Sequence, residues 1–260
     1  MELQVIKIGG NIIDNELKLA SFLQTFAALP GPKILVHGGG KIATEIGRKL
    51  GIEPNYVDGR RITDKPTLDL VIMVYGGLLN KNIVAKLQAY GCNAIGLTGA
   101  DGAVLPAEKR AVKSVDYGYV GDIIQQQVNT MLLQMLVEQN MAPVLAPLTL
   151  DRGGSLLNTN ADTIAQAVAT AMSSLMPVQL VYCFEKRGVL MDSADDNSVI
   201  SSINSKSFSE LVANGVINEG MIPKLENALQ AVQAGVRKVM IGHADELGQL
   251  ITGKAGTCIS

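Results

Sequence analysis

The sequence predicts an α/β fold with a mainly parallel open sheet and helices on both faces. Three observations predict it. Short β-branched runs alternate with amphipathic helical patterns along the chain. Apolar residues make up 47% and charged residues 18%, a mix suited to a globule with a real core. Glycines or a Pro-Gly-Pro step close several of the helical stretches.

Residues 3–8 read as a strand and 16–29 as a helix with Leu19, Phe22, Leu23, Phe26 and Ala27 on one face. Pro30-Gly31-Pro32 stops that helix, and 33–36 is the next strand. Residues 41–50 form a helix ended by Gly51, and 67–90 a long one ended by Gly91. Residues 94–97 and 142–146 look like buried strands; between them, Asp101-Gly102 and Tyr117-Gly118 suggest antiparallel hairpins on one edge. The second half reads as helix 161–176, strand 178–184, helix 219–234, strand 238–242, helix 245–252 and strand 257–260. Repeated strand–helix–strand units imply parallel pairing. A domain boundary is signalled near Met176-Pro177, dividing the chain into 1–176 and 177–260.

Composition narrows the function. With 260 residues, one or two domains are expected. A net charge of −2 and no basic block argue against a nucleic-acid surface. Cys92, Cys183 and Cys258 are odd in number and far apart, and only His37 and His243 are present, so neither a disulfide framework nor a His-rich metal site is expected. No signal peptide or uninterrupted bilayer-length apolar run is visible, and the expected compartment is the cytoplasm.

In open parallel sheets ligands bind beyond the carboxyl ends of the strands. Two glycine turns fall there: Lys7-Ile8-Gly9-Gly10 and His37-Gly38-Gly39-Gly40-Lys41. Glycine lets backbone N–H groups approach phosphate oxygens, although either turn alone also serves as an ordinary strand-to-helix joint. Lys7 sits near the end of an apolar strand, where a solvated lysine is not the default, and the alternative is a structural pairing. Asp162 opens a helix, where a carboxylate is favourable in any case. Lys224 also lies at a helix start, where a cation is disfavoured, so a phosphate-facing role gains weight.

Two further patterns compete. Gly38 to Ala43 fits GxGxxA, with Asp58 near the place of a ribose-binding acid, which would make a nicotinamide-type oxidoreductase; Asp58, however, lies in a polar loop beside Gly59-Arg60-Arg61. Gly248 to Lys254 fits GxxxxGK, but Ala255 stands where a P-loop needs Ser or Thr, and too little chain follows for its helix.

Taken together, VIKIGG, LVHGGGK, DGRRIT, LNTNADTIAQAVA, EGMIPKLENAL and GTCIS, spread over nearly the whole chain, resemble the amino-acid kinase family and within it the N-acetylglutamate kinases. The resemblance implies an αβα sandwich, with an N-terminal lobe that binds the acylated amino acid and dimerises and a C-terminal lobe that binds ATP with Mg2+. It implies phosphorylation of the side-chain carboxylate of N-acetyl-L-glutamate to an acyl phosphate, in arginine biosynthesis. Carried over by motif, Lys7 and Lys224 hold the phosphoryl group, Asp162 sits between them, and Gly10 and Gly39 donate N–H groups. Gly39, Gly40, Arg61 and Asn158 hold the acceptor; Lys7, Gly9, Gly10, Glu185 and Lys224 face the nucleotide. No protein metal ligand is expected, because the ATP phosphates hold most of the Mg2+.

Two departures qualify the carry-over. Where relatives commonly read like TDVPG, this chain has Cys183-Phe184-Glu185-Lys186-Arg187-Gly188, which puts the nucleotide contacts there in question. Arg60 stands beside Arg61 where relatives usually carry an apolar residue, so the acyl group could carry its own carboxylate, as succinyl does; a solvated loop arginine is the plain alternative. The resemblance also implies a homodimer through the 67–90 helix. The first strand begins almost at residue 1, so the N-terminal helix of arginine-inhibited hexamers is not expected. A silent amino-acid sensor of the same fold is a third alternative; loss of a lysine or the aspartate would mark it, and all three are present.

Overall fold

The structure is a computed structural model that describes residues 1–57, 59–192, 194–217 and 221–260, with Pro223 by its backbone only. Asp58 and the 219–220 start of the helix expected over 219–234 lie outside the described residues. Strands are β1 (Leu3–Ile8), β2 (Lys33–His37), β3 (Tyr56–Val57), β4 (Arg60–Arg61), β5 (Ala94–Leu97), β6 (Ala107–Lys109), β7 (Gly121–Ile123), β8 (Ala142–Leu145), β9 (Leu148–Leu150), β10 (Leu156–Asn158), β11 (Val178–Phe184), β12 (Ser202–Ile203), β13 (Lys238–His243) and β14 (Thr257–Ile259). Helices are α1 (Gly10–Ile13), α2 (Glu16–Ala28), α3 (Gly40–Lys49), α4 (Lys65–Val71), α5 (Asn80–Ala89), α6 (Thr130–Glu138), α7 (Ala161–Ser173), α8 (Ser205–Ala213), α9 (Ile222–Gln233) and α10 (Leu247–Thr252).

An eight-stranded sheet runs β12-β14-β13-β11-β1-β2-β8-β5. From β13 to β5 neighbours are parallel, and the β13–β14 pair is antiparallel. All six residues of β1 are buried, as expected for a central parallel strand covered on both faces. Side chains alternate between the faces. Leu3 and Val5 join Ile34, Val36, Leu180 and the helices α6, α7 and α9 in one core. Ile6 and Ile8 join Leu35, Val181 and the helices α2, α4, α5 and α10 in the other. The result is helix, sheet, helix.

Chain order decides where a crevice opens. From β1 the chain moves to β2 and on to the β8 and β5 side, and only later places β11 on the opposite flank of β1. The loops that leave β1 and β11 therefore part at this switch point, as in other open parallel sheets.

Most expected elements form within a residue or two. The 67–90 stretch is one continuous helical run, Lys65–Ala89, whose middle turn pair, Ile72–Leu79, is π-helical. At 25 residues it is long and apolar enough by length and composition to cross a bilayer, although Asp69, Asn80 and Lys81 interrupt its apolar stretch, as the sequence expectation of no uninterrupted run requires. Leu68, Leu70, Val71, Val74, Tyr75, Leu79, Ile83 and Leu87 of this run are nevertheless packed into the core.

Asp101-Gly102 is not a hairpin. The Asp101 carboxylate accepts hydrogen bonds from Thr98 N–H (2.6 Å) and Thr98 Oγ1–H (2.8 Å), closing a single 3-10 turn that carries Val104 and Leu105 into the core. Tyr117-Gly118 does join an antiparallel pair, β6–β7, but that ribbon stands off the main sheet. With β3–β4 and β9–β10 it forms a wall above the carboxyl ends of the strands, held by bridges Thr63–Gly118, Pro106–Leu150 and Val120–Asn158. Helices α6 and α8 were not expected. In α8 no residue is fully buried, although Phe208, Leu211 and Val212 pack against the core, and its start rests on a reciprocal Asn204–Ser207 cap.

Candidate active site

Strand parity and helix starts bring the charged residues together. Lys7 shares the face of Leu3 and Val5, and Tyr182 and Phe184 share that of Val178 and Leu180, so all three side chains meet the layer of α7 and α9. Asn160 caps α7 by accepting from Asp162 N–H (2.7 Å) and Thr163 N–H (3.2 Å), which places Asp162 in the first turn. Lys7 Nζ lies 2.8 Å from Asp162 Oδ1. The angles are not those of an aligned hydrogen bond, so the contact is chiefly coulombic. Gln166 Nε2 donates to Asn227 O (3.1 Å), tying α7 to α9, whose first turn carries Lys224.

Sequence reasoning set Asp162 between the two lysines. In the structure it pairs with Lys7, while Lys224 Nζ stands 4.5 Å over the Phe184 ring and forms no ion pair among the described residues.

The two glycine turns abut. Gly38 N–H donates to Ile8 O (3.1 Å), joining the turn after β2 to the end of β1. Gly39 has φ +147°, and a Cβ there would lie 2.3 Å from Leu79 Cδ1, so the turn requires glycine both for its backbone and for the close approach of the π-helical segment.

A buried relay orients this turn. Val144 O can only accept, so the Asn80 atom 2.9 Å from it is the amide nitrogen; the same nitrogen lies 3.2 Å from His37 Nε2. Gly38 O can only accept, so His37 Nδ1 carries the proton and donates to it at 2.8 Å. His37 is thus neutral, with Nε2 accepting from Asn80. A trans peptide points its C=O and N–H to opposite sides. Drawing Gly38 O toward the imidazole therefore turns Gly39 N–H away from the ring, and Gly39 lines the cavity on that turn.

That cavity, about 760 Å³, is bounded by Lys7, both glycine turns, Arg60, Arg61, Tyr75, Arg110, Asn158 and Asp162. Arg61, 8% exposed, donates through Nη2 to Gly40 O (2.9 Å) and Thr44 Oγ1 (2.8 Å) and lies over the Tyr56 ring at 4.9 Å. Asn158, which lines the same cavity, donates through Nδ2 to Thr63 Oγ1 (3.0 Å).

A second cavity, about 680 Å³, is lined by Gly9, Gly10, Lys41, Glu185, Lys186, Leu190, Val216 and Met221 among others. Gly9, Gly10, Gly40, Phe184 and Lys224 line both cavities, so the two meet there. Every sequence-predicted site residue borders one cavity or both. The ones missed are His37 as an orienting group, Asn80, Tyr75, Tyr182, Phe184 and Arg110. His37 stood in the quoted glycine motif, but nothing in the sequence pointed to Asn80.

Two compartments for small ligands thus share a rim of glycines and Lys224 at a sheet switch point, with Lys7 beside it, an arrangement suited to passing a phosphoryl group between them. The chain belongs to the amino acid kinase family, whose profile matches residues 2–243. It is 57% identical over 251 residues to the acetylglutamate kinase of Cytophaga hutchinsonii, covering 96% of this chain and 94% of that one. Among solved structures, the smu.665 protein of Streptococcus mutans UA159 is 30% identical with a TM-score of 0.77, over 99% of this chain and 98% of that one. N-acetylglutamate synthase from Neisseria gonorrhoeae shares the fold at a TM-score of 0.82 and 20% identity, over all of this chain and 59% of that one. Family and site together exclude the oxidoreductase alternative.

The relay makes a stability prediction. Burial pushes the His37 imidazole down from 6.5 to about 4. Between those values the unfolded chain binds a proton that the native chain refuses, so the His37 contribution is undiminished above pH 6.5 and lost as pH falls toward 4. Urea titrations from pH 7.5 to 4 should show wild type losing about 3 kcal/mol more than His37→Asn, which keeps a donor near Nδ1 without titrating.

Proposed function

We propose that the chain transfers the γ-phosphoryl group of ATP to the side-chain carboxylate of N-acetyl-L-glutamate, or a close N-acyl analogue, forming an acyl phosphate in arginine biosynthesis. The observation that carries this reading is the convergence of Lys7, Lys224 and two glycine turns where the two cavities meet. The family and the names of its relatives supply the acceptor.

The chemistry suits the side chains present. A glutamate carboxylate, with pKa about 4.3, is already ionised at neutral pH and needs no general base. The difficulty is bringing one anion against another and stabilising charge on the oxygens of the moving phosphoryl group. Preorganised cations and N–H donors do this without reorganising during the step. On this reading Lys7 and Lys224 contact the phosphoryl oxygens, Gly10 and Gly39 N–H groups complete the cradle, and Asp162 holds Lys7. Gly9 and Glu185 face the nucleotide; Gly39, Gly40, Arg61 and Asn158 grip the acceptor. Mg2+ bound to ATP would neutralise phosphate charge, held mainly by the phosphates.

The acyl group has a second reading with its own support. Arg60 and Arg110 line the acceptor cavity beside Arg61. Arg110 holds Asp122 through Nε and Nη2, while its buried Nη1 has no hydrogen-bond partner. An acyl group ending in a carboxylate, such as succinyl, would satisfy both arginines.

We further propose that residues 1–176 serve the acceptor and 177–260 the nucleotide, because the boundary divides the sheet between β1 and β11. A homodimer is supported by Met73 and Leu78, exposed on the π-helical segment. The cytoplasm fits three cysteines held as free thiols.

ADP release with a panel of N-acyl amino acids, with hydroxylamine trapping the product, should yield a hydroxamate with N-acetyl- or N-succinyl-glutamate; none with any acidic acceptor would defeat the kinase reading. Lys7→Ala should lower kcat by roughly 10²–10³-fold with the circular dichroism spectrum unchanged. If the acyl carboxylate is read by arginine, kcat/KM should favour N-succinyl-glutamate, and Arg60→Ala or Arg110→Ala should lower that preference by roughly tenfold or more; equal or acetyl-favouring values would sink the idea. Light scattering should give twice the 27.5 kDa chain mass, and a monomer or hexamer would contradict the dimer.

A further inference from the structure

Within the altered Cys183-Phe184-Glu185 segment, Phe184 remains without a role in the scheme above. Phe184 is the last residue of β11, on the same face as Tyr182, and lines both cavities. Lys224 Nζ stands 4.5 Å from the centre of its ring and Lys7 Nζ 5.4 Å from it. The ring itself stacks on Tyr182, centroids 6.1 Å apart at 21°, and the Tyr182 hydroxyl donates to Asp162 O (3.2 Å).

We propose that Phe184 is a positioning residue for phosphoryl transfer, its π face holding the Lys224 ammonium, and secondarily that of Lys7, at the junction of the two cavities. The inference rests on the kinase reading of that junction.

The physical reason lies in what the two kinds of partner do to a lysine. A carboxylate neutralises an ammonium and competes with phosphate for it. An aromatic face attracts the cation through its quadrupole and leaves its charge uncompensated. Lys7 has a carboxylate, Asp162. Among the described residues Lys224 has the ring alone, so its charge is available to an arriving phosphoryl group. A cation in the first turn of α9 is disfavoured by that helix's own dipole, which makes an independent attraction necessary to keep it there. Tyr182 extends the support by linking ring and Asp162 backbone, so that both lysines are referenced to one column of aromatic side chains.

The experiment replaces Phe184 with 4-fluoro-, 3,5-difluoro- and 3,4,5-trifluorophenylalanine, which remove the ring quadrupole stepwise at nearly constant shape. With the acceptor and ATP saturating, kcat should fall monotonically, by roughly twofold to thirtyfold over the series, with little change in either KM. Phe184→Leu should lose at least as much, and Phe184→Trp should retain activity. A fluorine series flat in kcat would overturn the proposal, as would a rise in KM for ATP alone, which would mean that the ring contacts the nucleotide. A readout independent of turnover is the Lys224 Hε resonance, assigned with Lys224→Arg. It should sit upfield from the ring current and move downfield in Phe184→Leu, and an unmoved resonance would also overturn the proposal. Failure of wild type to yield any hydroxamate, with that resonance shift present, would reject the kinase reading while leaving the lysine–ring contact standing.

Discussion

An ammonium carried on a strand whose other side chains are buried cannot stand alone. Lys7 is 7% exposed, and stripping water from a lone ammonium costs several kcal/mol even after relaxation. Asp162 meets that demand at 2.8 Å. The carboxylate is in turn favoured by the positive N-terminal end of the α7 dipole. One ion pair therefore fixes α7 across the end of β1. Through Gln166 and Asn227 it also sets where α9 begins, and with it Lys224. The remaining features of the site are arranged around this constraint.

The same constraint divides labour between two lysines that look alike in the sequence. Lys7 is matched by a carboxylate and buried; Lys224 is matched by a ring and borders both cavities. A site that must attract a highly charged nucleotide and also accept an anionic acceptor needs both a fixed cation and one whose charge is not already compensated. The backbone supplies the rest. Gly39 is held by the packing of Leu79 against it and by His37 drawing on Gly38 O, which on the proposed reading presets its N–H for developing negative charge.

Much of this was legible in the residues. Buried strands announce themselves by apolar runs, and β1 and β11 fall within the ranges read for them. The glycine turns, Lys7, Asp162, Lys224, Arg61 and Asn158 stood in motifs whose combination is specific, and the structure places them around one junction. The Asp101-Gly102 turn was misread because a DG step signals a reversal without saying whether a strand follows; here Val104 and Leu105 are drawn into the core instead. Helix α8 escaped although Phe208, Leu211 and Val212 stand at helical spacing and pack against the core, because its nine residues are otherwise polar and small.

By itself the sequence determined the fold class, the family and the list of groups fit for phosphoryl chemistry, because alternation, helix starts and glycine turns are local properties. Only the tertiary structure decided which lysine pairs with Asp162, that Phe184 lies under the other, and that Asn80 reaches His37 from 43 positions away. It also brought Arg110 beside Arg60 in one cavity. These are contacts between residues far apart in the chain. Distances of that kind follow from which strand lies next to which and from which face each side chain takes, and no stretch of sequence carries either relation alone.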